Sequence, residues 1–207
     1  MRLALHPGTT AHAYADAGLQ TYDHVMFGIA GYEPEATDSA NEVLSVHGPR
    51  LHALVGRRLE SATGLCFVIG GAWCSTQPLI LDFGGTRLEL AFDGFDQMYL
   101  SWDTIDVDAP IDTPDQDEPD QALAWGDPHQ AELDGVLGAV ARQVRVLEHD
   151  FRFERADGQH FQAWILAGLE LLFDDGRALQ LYNVISELTI ATHPADSDTW
   201  RRQAVRG

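Results

Sequence analysis

The stretch that decides the fold is Leu79-Ile-Leu-Asp-Phe-Gly-Gly-Thr-Arg-Leu-Glu-Leu90, which places two short apolar runs around a glycine turn. The second run continues as Leu88-Glu-Leu-Ala-Phe92, where the alternating apolar side chains fall on one face of a strand. Two such runs joined by a glycine-containing turn are typical of a β-hairpin. The stretch therefore predicts a pair of antiparallel strands.

The same pattern recurs in the second half of the chain. There, Leu169-Glu-Leu-Leu-Phe173 leads through Asp174-Asp-Gly176 into Arg177-Ala-Leu-Gln-Leu181. Upstream of the two hairpins, Leu51-His-Ala-Leu-Val-Gly56 matches Leu133-Asp-Gly-Val-Leu-Gly138 in spacing and character. These correspondences predict two copies of one β-rich unit. The alternative is a chance similarity between two generic hairpins.

We therefore predict a β-rich α+β protein whose antiparallel sheets come from two pseudo-repeated units joined by an acidic linker. Residues 1–49 are predicted as an N-terminal segment that packs on the first unit. The first unit spans 50–106, the linker 107–130, and the second unit with the C-terminal tail 131–207. Helix is scarce: its best candidate is 130–145, and 42–46 is predicted as a short strand.

Charge is the unusual property of the composition. The chain of 207 residues has 32 acidic side chains against 13 basic ones, which gives a formal net charge of −19. Such a field repels nucleic acids and anionic membranes and attracts basic proteins. Direct nucleic-acid binding needs a basic footprint, which the sequence lacks. The predicted partner is therefore a basic protein.

The acid is densest around the predicted linker, and no lysine or arginine occurs from Leu88 to Ala141. One interpretation is a solvated tether that cannot bury itself. The other is a surface that contacts a cationic site, with the flanking tryptophans as its anchors unless they belong to the core. The predicted partner-binding residues are Asp103, Asp106, Asp108, Asp112, Asp115, Asp117, Glu118, Asp120, Trp102 and Trp125.

Motifs for chemistry are missing from the sequence. The histidines and cysteines show no zinc-ligand spacing, and the aspartates after Asp106 and Asp115 do not match a calcium-binding loop. Neither a Gly-x-Ser-x-Gly elbow nor a phosphate-binding loop is present. We therefore expect no catalytic residues, no metal site and no cofactor.

A small, acidic, β-rich chain with glycine-turn hairpins and no catalytic motif resembles the bacterial immunity proteins, which are paired with toxins. The resemblance is one of type and includes no diagnostic motif. It implies one-to-one blocking of the active site of a cognate toxin. Two alternatives are a nucleic-acid mimic and a small-molecule binder or enzyme. The site of the latter would be assembled from dispersed residues, Trp164, His160, Tyr182 and Asn183.

The expected compartment is the cytoplasm. The start of the chain runs into His6-Pro-Gly8 before an apolar leader can form, and no apolar stretch is long enough to span a membrane. Two cysteines, Cys66 and Cys74, are fewer than a secreted disulfide scaffold would carry.

Overall fold

The structure is a computed structural model that describes residues 26–112, 118, 120–154, 157–192 and 199–207. Strands dominate these residues, and the helices are short. The first half contains β1 (Glu35–Thr37), α1 (Ala40–Val46), α2 (Gly48–His52), β2 (Ser61–Phe67), β3 (Leu79–Asp82), β4 (Arg87–Asp93) and β5 (Gln97–Trp102). The second half contains β6 (Leu123–Gly126), α3 (Ala131–Asp134), β7 (Ala141–Glu154), β8 (His160–Phe173), β9 (Ala178–Asn183), β10 (Leu188–Ala191) and β11 (Trp200–Ala204).

The strands form two antiparallel sheets, which confirms the prediction of a β-rich antiparallel protein. The first sheet has the order β1-β5-β4-β3-β2-β6, and the second has the order β10-β9-β8-β7-β11. Apart from the edge strand β1, both sheets thus follow one order. In each sheet, four strands run consecutively as hairpins, and a fifth strand returns to the opposite edge.

The two hairpins quoted from the sequence pair in the same way. Leu79 lies opposite Leu90 in the first sheet, and Leu169 lies opposite Leu181 in the second. The side chains at these positions face a large hydrophobic core that both sheets share. Alternation within each strand therefore determined which face is buried, as expected for paired strands with one common core.

The segments that precede β2 and β7 pair with each other. Arg58 and Val140 form an isolated antiparallel bridge. On either side of it, Gly56 N donates to Ala141 O at 2.8 Å, and Ala141 N donates to Arg57 O at 2.8 Å. Likewise, Leu59 N donates to Ala139 O at 3.0 Å, and Gly138 N donates to Leu59 O at 2.7 Å. The two sheets are thus joined by backbone hydrogen bonds as well as by the core.

The helix predicted over 130–145 is wrong in extent, because only Ala131–Asp134 is helical. Gly138 has a φ of 81°, a left-handed conformation that ends a helical turn at little cost for glycine. The β-branched residues that follow then enter β7. Gly56, at the matching position, has a φ of 86° and likewise ends a helical turn.

The strand predicted over 42–46 is a helix instead. Ser39 caps α1, because its side chain accepts a hydrogen bond from Glu42 N at 3.4 Å. Glu42 Oε2 accepts one from Asp38 N at 3.1 Å. A serine followed three residues later by glutamate is typical of a helix start. No described helix is long and apolar enough to cross a membrane.

Candidate functional site

The predicted partner-binding carboxylates lie between Asp103 and Asp120, a stretch that we call the acidic segment. It leaves β5 through a tight turn at Asp103. This residue adopts a φ of 59°, which aspartate tolerates better than most residues. Its carboxylate accepts a hydrogen bond from Arg87 N at 2.9 Å and lies 3.8 Å from Arg87 Nε. The first carboxylate of the segment is therefore part of the turn that directs the chain across the first sheet.

Glu89, in the middle of β4, anchors the start of the segment. Its side chain is fully buried on the face of the first sheet opposite the shared core. It accepts four hydrogen bonds, at 2.9 Å from Thr104 N, 2.8 Å from Ile105 N and 2.5 Å from both Ser101 Oγ and Thr104 Oγ1. Because a buried carboxylate without such donors is costly, Glu89 and the segment stabilise each other.

Apolar side chains hold the next residues down. Ile105 is fully buried in a second, smaller core on this face, and Val107 and Ile111 pack against it. Ile111 bridges to Ile29, and Asp112 N donates to Gly28 O at 2.7 Å. Residues 103–112 are thus held against the first sheet, which does not fit the interpretation of the segment as a solvated tether.

Strand β6 lies within the range predicted as linker. It pairs with the edge of β2, with Trp125 opposite Leu65. Just before it, Ala122 N donates to Glu118 O at 3.0 Å, and Val68 N donates to Ala122 O at 2.8 Å. Within the range predicted as linker, Leu123–Gly126 is therefore an edge strand of the first sheet.

The carboxylates that follow Asp103 point into solvent. Asp106, Asp108, Asp112, Glu118 and Asp120 are all exposed. In the described part of the chain, none of these five forms an ion pair; Asp106 accepts a hydrogen bond from Asp108 N at 3.0 Å. The segment thus presents uncompensated negative charge on an anchored backbone. Asp115 and Asp117 lie outside the described residues.

The two tryptophans of the predicted site have different environments. Trp102 is 7% exposed and belongs to the shared core, where its Nε1 donates to His47 Nδ1 at 3.4 Å. Trp125 is partly buried and packs against the smaller core. Trp102 is therefore a core residue, and Trp125 alone of the pair reaches the surface beside the acidic segment.

Burial lowers the pKa of His47, the acceptor for Trp102. A neutral imidazole is required for this contact, because a protonated Nδ1 could no longer accept a hydrogen bond. The other ring nitrogen, Nε2, is buried and has no hydrogen-bond partner among the described residues. His47 thus makes the packing of Trp102 sensitive to acid.

Three of the four residues considered for a dispersed small-molecule site, Trp164, Tyr182 and Asn183, have structural partners. Asn183 Nδ2 donates to Gly94 O at 3.0 Å, and Tyr182 packs edge-on against Trp200 at 5.3 Å. The ring of Trp164 lies 3.9 Å from the guanidinium carbon of Arg201. In the ranges that the structure describes, no group of three His, Cys, Asp or Glu side chains is placed to hold a metal ion.

One polar cluster was missed by sequence reasoning. Glu170, 1% exposed on β8, accepts hydrogen bonds from Gln180 Nε2 at 2.8 Å, Arg145 at 3.0 Å and Arg202 Nε at 3.1 Å. Burial alone would raise the pKa of Glu170, but these hydrogen bonds outweigh it and hold the pKa below its ordinary value. The sequence did contain an indication of this cluster: Glu170 lies within the apolar run 163–173, and a buried glutamate needs a partner.

A row of phenylalanine rings was also missed. Phe95, at the β4–β5 turn, lies 6.2 Å from Phe151; Phe151 lies 5.7 Å from Phe153, and Phe153 stacks on Phe161 at 4.9 Å. We call these four residues the aromatic row. The alternation Phe151-Arg-Phe153 predicts a strand whose arginine faces outward, and it does not indicate that Phe153 is exposed as well.

No family model, no curated protein and no solved structure matches this chain.

Proposed function

We propose that this protein binds a basic protein and neutralises it, as an immunity protein that blocks a cognate bacterial toxin. The observation that carries the proposal is the anchored acidic segment. Its carboxylates at Asp106, Asp108 and Asp112 face solvent without an ion pair in the described chain, while Ile105 and Glu89 hold the backbone beneath them.

Two physical arguments support this function. Charge of one sign on an exposed surface steers an oppositely charged partner and can raise its association rate by orders of magnitude. Because the backbone of 103–112 is already fastened to the sheet, less conformational entropy is lost when a partner binds than for a free tether. The carboxylates would then occupy a cationic active site in place of its substrate.

We further infer that the two sheets are copies of one ancestral unit. The common strand order and the matching leucine pairs support this inference. The backbone hydrogen bonds around Arg58 and Val140 also support it, because each bond donated by the first segment has a counterpart donated by the second. Donor and acceptor in the counterpart are each displaced by about 82 residues, in opposite directions along the chain. In an experimental structure, β2–β5 should superpose on β7–β10; different strand orders would contradict the inference.

The function is tested with tagged protein in lysate of the source cells at low salt. The wild type is compared with the triple variant Asp106→Asn, Asp108→Asn, Asp112→Asn. A charge-matched control carries amides at three exposed carboxylates elsewhere, Glu33→Gln, Glu60→Gln and Asp134→Asn.

We expect the wild type and the control to retain one basic protein in stoichiometric amount, and the triple variant to retain much less. Co-expression should then suppress the toxicity of that protein. Capture of nothing, equal capture by all three proteins, or a captured protein that is harmless alone would contradict the proposed function.

A further inference from the structure

Three of the four rings of the aromatic row, Phe151, Phe153 and Phe161, lie on a part of the second sheet that extends beyond its neighbouring strands. Strand β11 pairs with β7 only at 145–149, and β9 pairs with β8 only at 168–172. In the described strands, the distal parts of β7 and β8 pair only with each other, with Phe153 opposite Phe161. These three rings therefore sit on a projecting two-stranded arm, and Phe95 contacts them from the β4–β5 turn of the first sheet.

The rings are unusually exposed for their size. Phe95 is 61% exposed, Phe153 41% and Phe161 40%. Phe151 connects them, so the apolar surface is contiguous rather than scattered. Single exposed apolar residues are ordinary, but a contiguous aromatic surface marks a place of interaction. The stacking of Phe153 on Phe161 helps to hold the arm together, whereas Phe95 sits on a turn of the other sheet and contributes little to it.

Charge distinguishes between the possible occupants of this surface. The β4–β5 turn and the described parts of the arm, residues 93–96, 148–154 and 157–162, contain six carboxylates and one arginine. This arginine, Arg152, is paired with Asp150. A second copy of the chain would bring together two molecules that each carry a net charge of −19, and an anionic membrane would be repelled likewise. A cationic segment gains from the acidic surroundings, and its guanidinium groups also bind favourably over aromatic faces.

We propose that the aromatic row is an apolar anchor for a basic protein partner, and that it binds a segment which presents arginine side chains between apolar ones. This inference rests on the proposed function for the nature of the partner and adds a second contact surface to it. The acidic segment mainly sets the association rate, whereas the row slows dissociation, because buried aromatic anchors account for much of the affinity of an interface.

The test uses a defined probe, the peptide acetyl-(Arg-Leu)4-amide, with acetyl-(Glu-Leu)4-amide as its acidic counterpart. Binding to the full chain is measured by calorimetry for the wild type, Phe95→Ala and Ile69→Ala. Ile69 is a matched control, since it is also 61% exposed and lies in a turn away from the row.

We expect Phe95→Ala to weaken binding of the arginine peptide about tenfold, which is the loss of about 1.4 kcal/mol expected when a partly buried ring is removed. Ile69→Ala should bind as the wild type does, and the acidic peptide should bind none of the three. Unfolding by urea should show that Phe95→Ala is as stable as the wild type.

Three outcomes would overturn the inference. Equal binding of the arginine peptide by the wild type and Phe95→Ala would show that charge alone attracts it, and the proposed function would stand without the row. Light scattering that shows a wild-type dimer, dissociated by Phe95→Ala, would assign the row to a second copy. A failure of the wild type to bind the arginine peptide would reject the row, whereas failure of the lysate experiment would reject the proposed function.

Discussion

The two sheets have one strand order but different outer faces, the faces that lie opposite the shared core. On the first sheet, this face carries the cross-strand pair Ile80 and Glu89. Ile80 belongs to the second, smaller core, and Glu89 binds the acidic segment. On the second sheet, the pair Glu170 and Gln180 occupies the matching place. Each outer face thus buries one glutamate, but the groups that donate hydrogen bonds to the two carboxylates differ.

The difference lies in what satisfies each carboxylate. Glu89 accepts hydrogen bonds from the backbone of the acidic segment, at Thr104 N and Ile105 N. Glu170 accepts them from side chains of its own sheet, among them Arg145 and Arg202. One glutamate therefore fastens a separate segment onto its sheet, whereas the other is satisfied within its sheet. A common framework can thus be specialised through the residues of one buried cross-strand pair.

The largest expected effect is that of Glu89→Ala. It leaves the buried N–H of Ile105 without a partner, so the free energy of unfolding should fall by about 3 kcal/mol. Hydrogen exchange at Ile105 should become faster as the segment loosens. Urea unfolding and amide exchange measure the two effects. A loss below about 1 kcal/mol with unchanged exchange would show that Glu89 does not anchor the segment.

Glu170→Ala should cost less, about 1.5 kcal/mol, because only Gln180 Nε2 is left buried without its acceptor. Arg145 and Arg202 keep part of their side chains in water and can be solvated there. The same urea titration measures this loss. A loss equal to that of Glu89→Ala would contradict this difference, since the two carboxylates would then contribute equally to the free energy of unfolding.

Glu170 also predicts a dependence of stability on acid. Its pKa in the folded protein is held below the ordinary value, so the unfolded chain takes up the proton first as pH falls. The contribution is complete above the unfolded pKa, near 4.3, and is lost as pH falls from there through the folded pKa. Glu170→Gln should flatten the stability profile in this window. An identical profile would contradict the assignment.

Protonation of His47 should lower the stability of the fold at a milder pH than protonation of Glu170 does. Burial lowers its pKa in the folded state, so stability is unaffected above the unfolded pKa near 6.5 and declines as pH falls below it. Replacement by Gln, which can still accept a hydrogen bond from Trp102, should remove the decline below about pH 6.5. Thermal unfolding across this range tests the point, and a decline retained in His47→Gln would assign it to another group.

The smallest effect on stability is expected for the triple amide variant at Asp106, Asp108 and Asp112. These side chains face solvent, so the free energy of unfolding should change by less than about 0.5 kcal/mol. A much larger loss would show that the carboxylates hold the fold together, contrary to a role in binding.

The sequence predicted the framework better than the candidate site. Alternation at Leu88–Phe92 and the glycine turns identified the hairpins, because both are local signals. The anchoring of the acidic segment was not predictable, since it depends on hydrogen bonds between Glu89 and Thr104, which are distant in sequence and meet only in the folded chain. Trp102 next to the acid indicated an anchor or a core residue, and only the packing of both sheets places it in the core.

The central claim is that the anchored acidic segment steers a basic partner, and the association rate of the captured partner tests it most directly. For the wild type, we predict a rate that falls at least about tenfold between low and high salt, because screening removes long-range attraction. The triple amide variant should associate more slowly at low salt and converge with the wild type at high salt. A rate that neither salt nor the triple variant changes would contradict the claim.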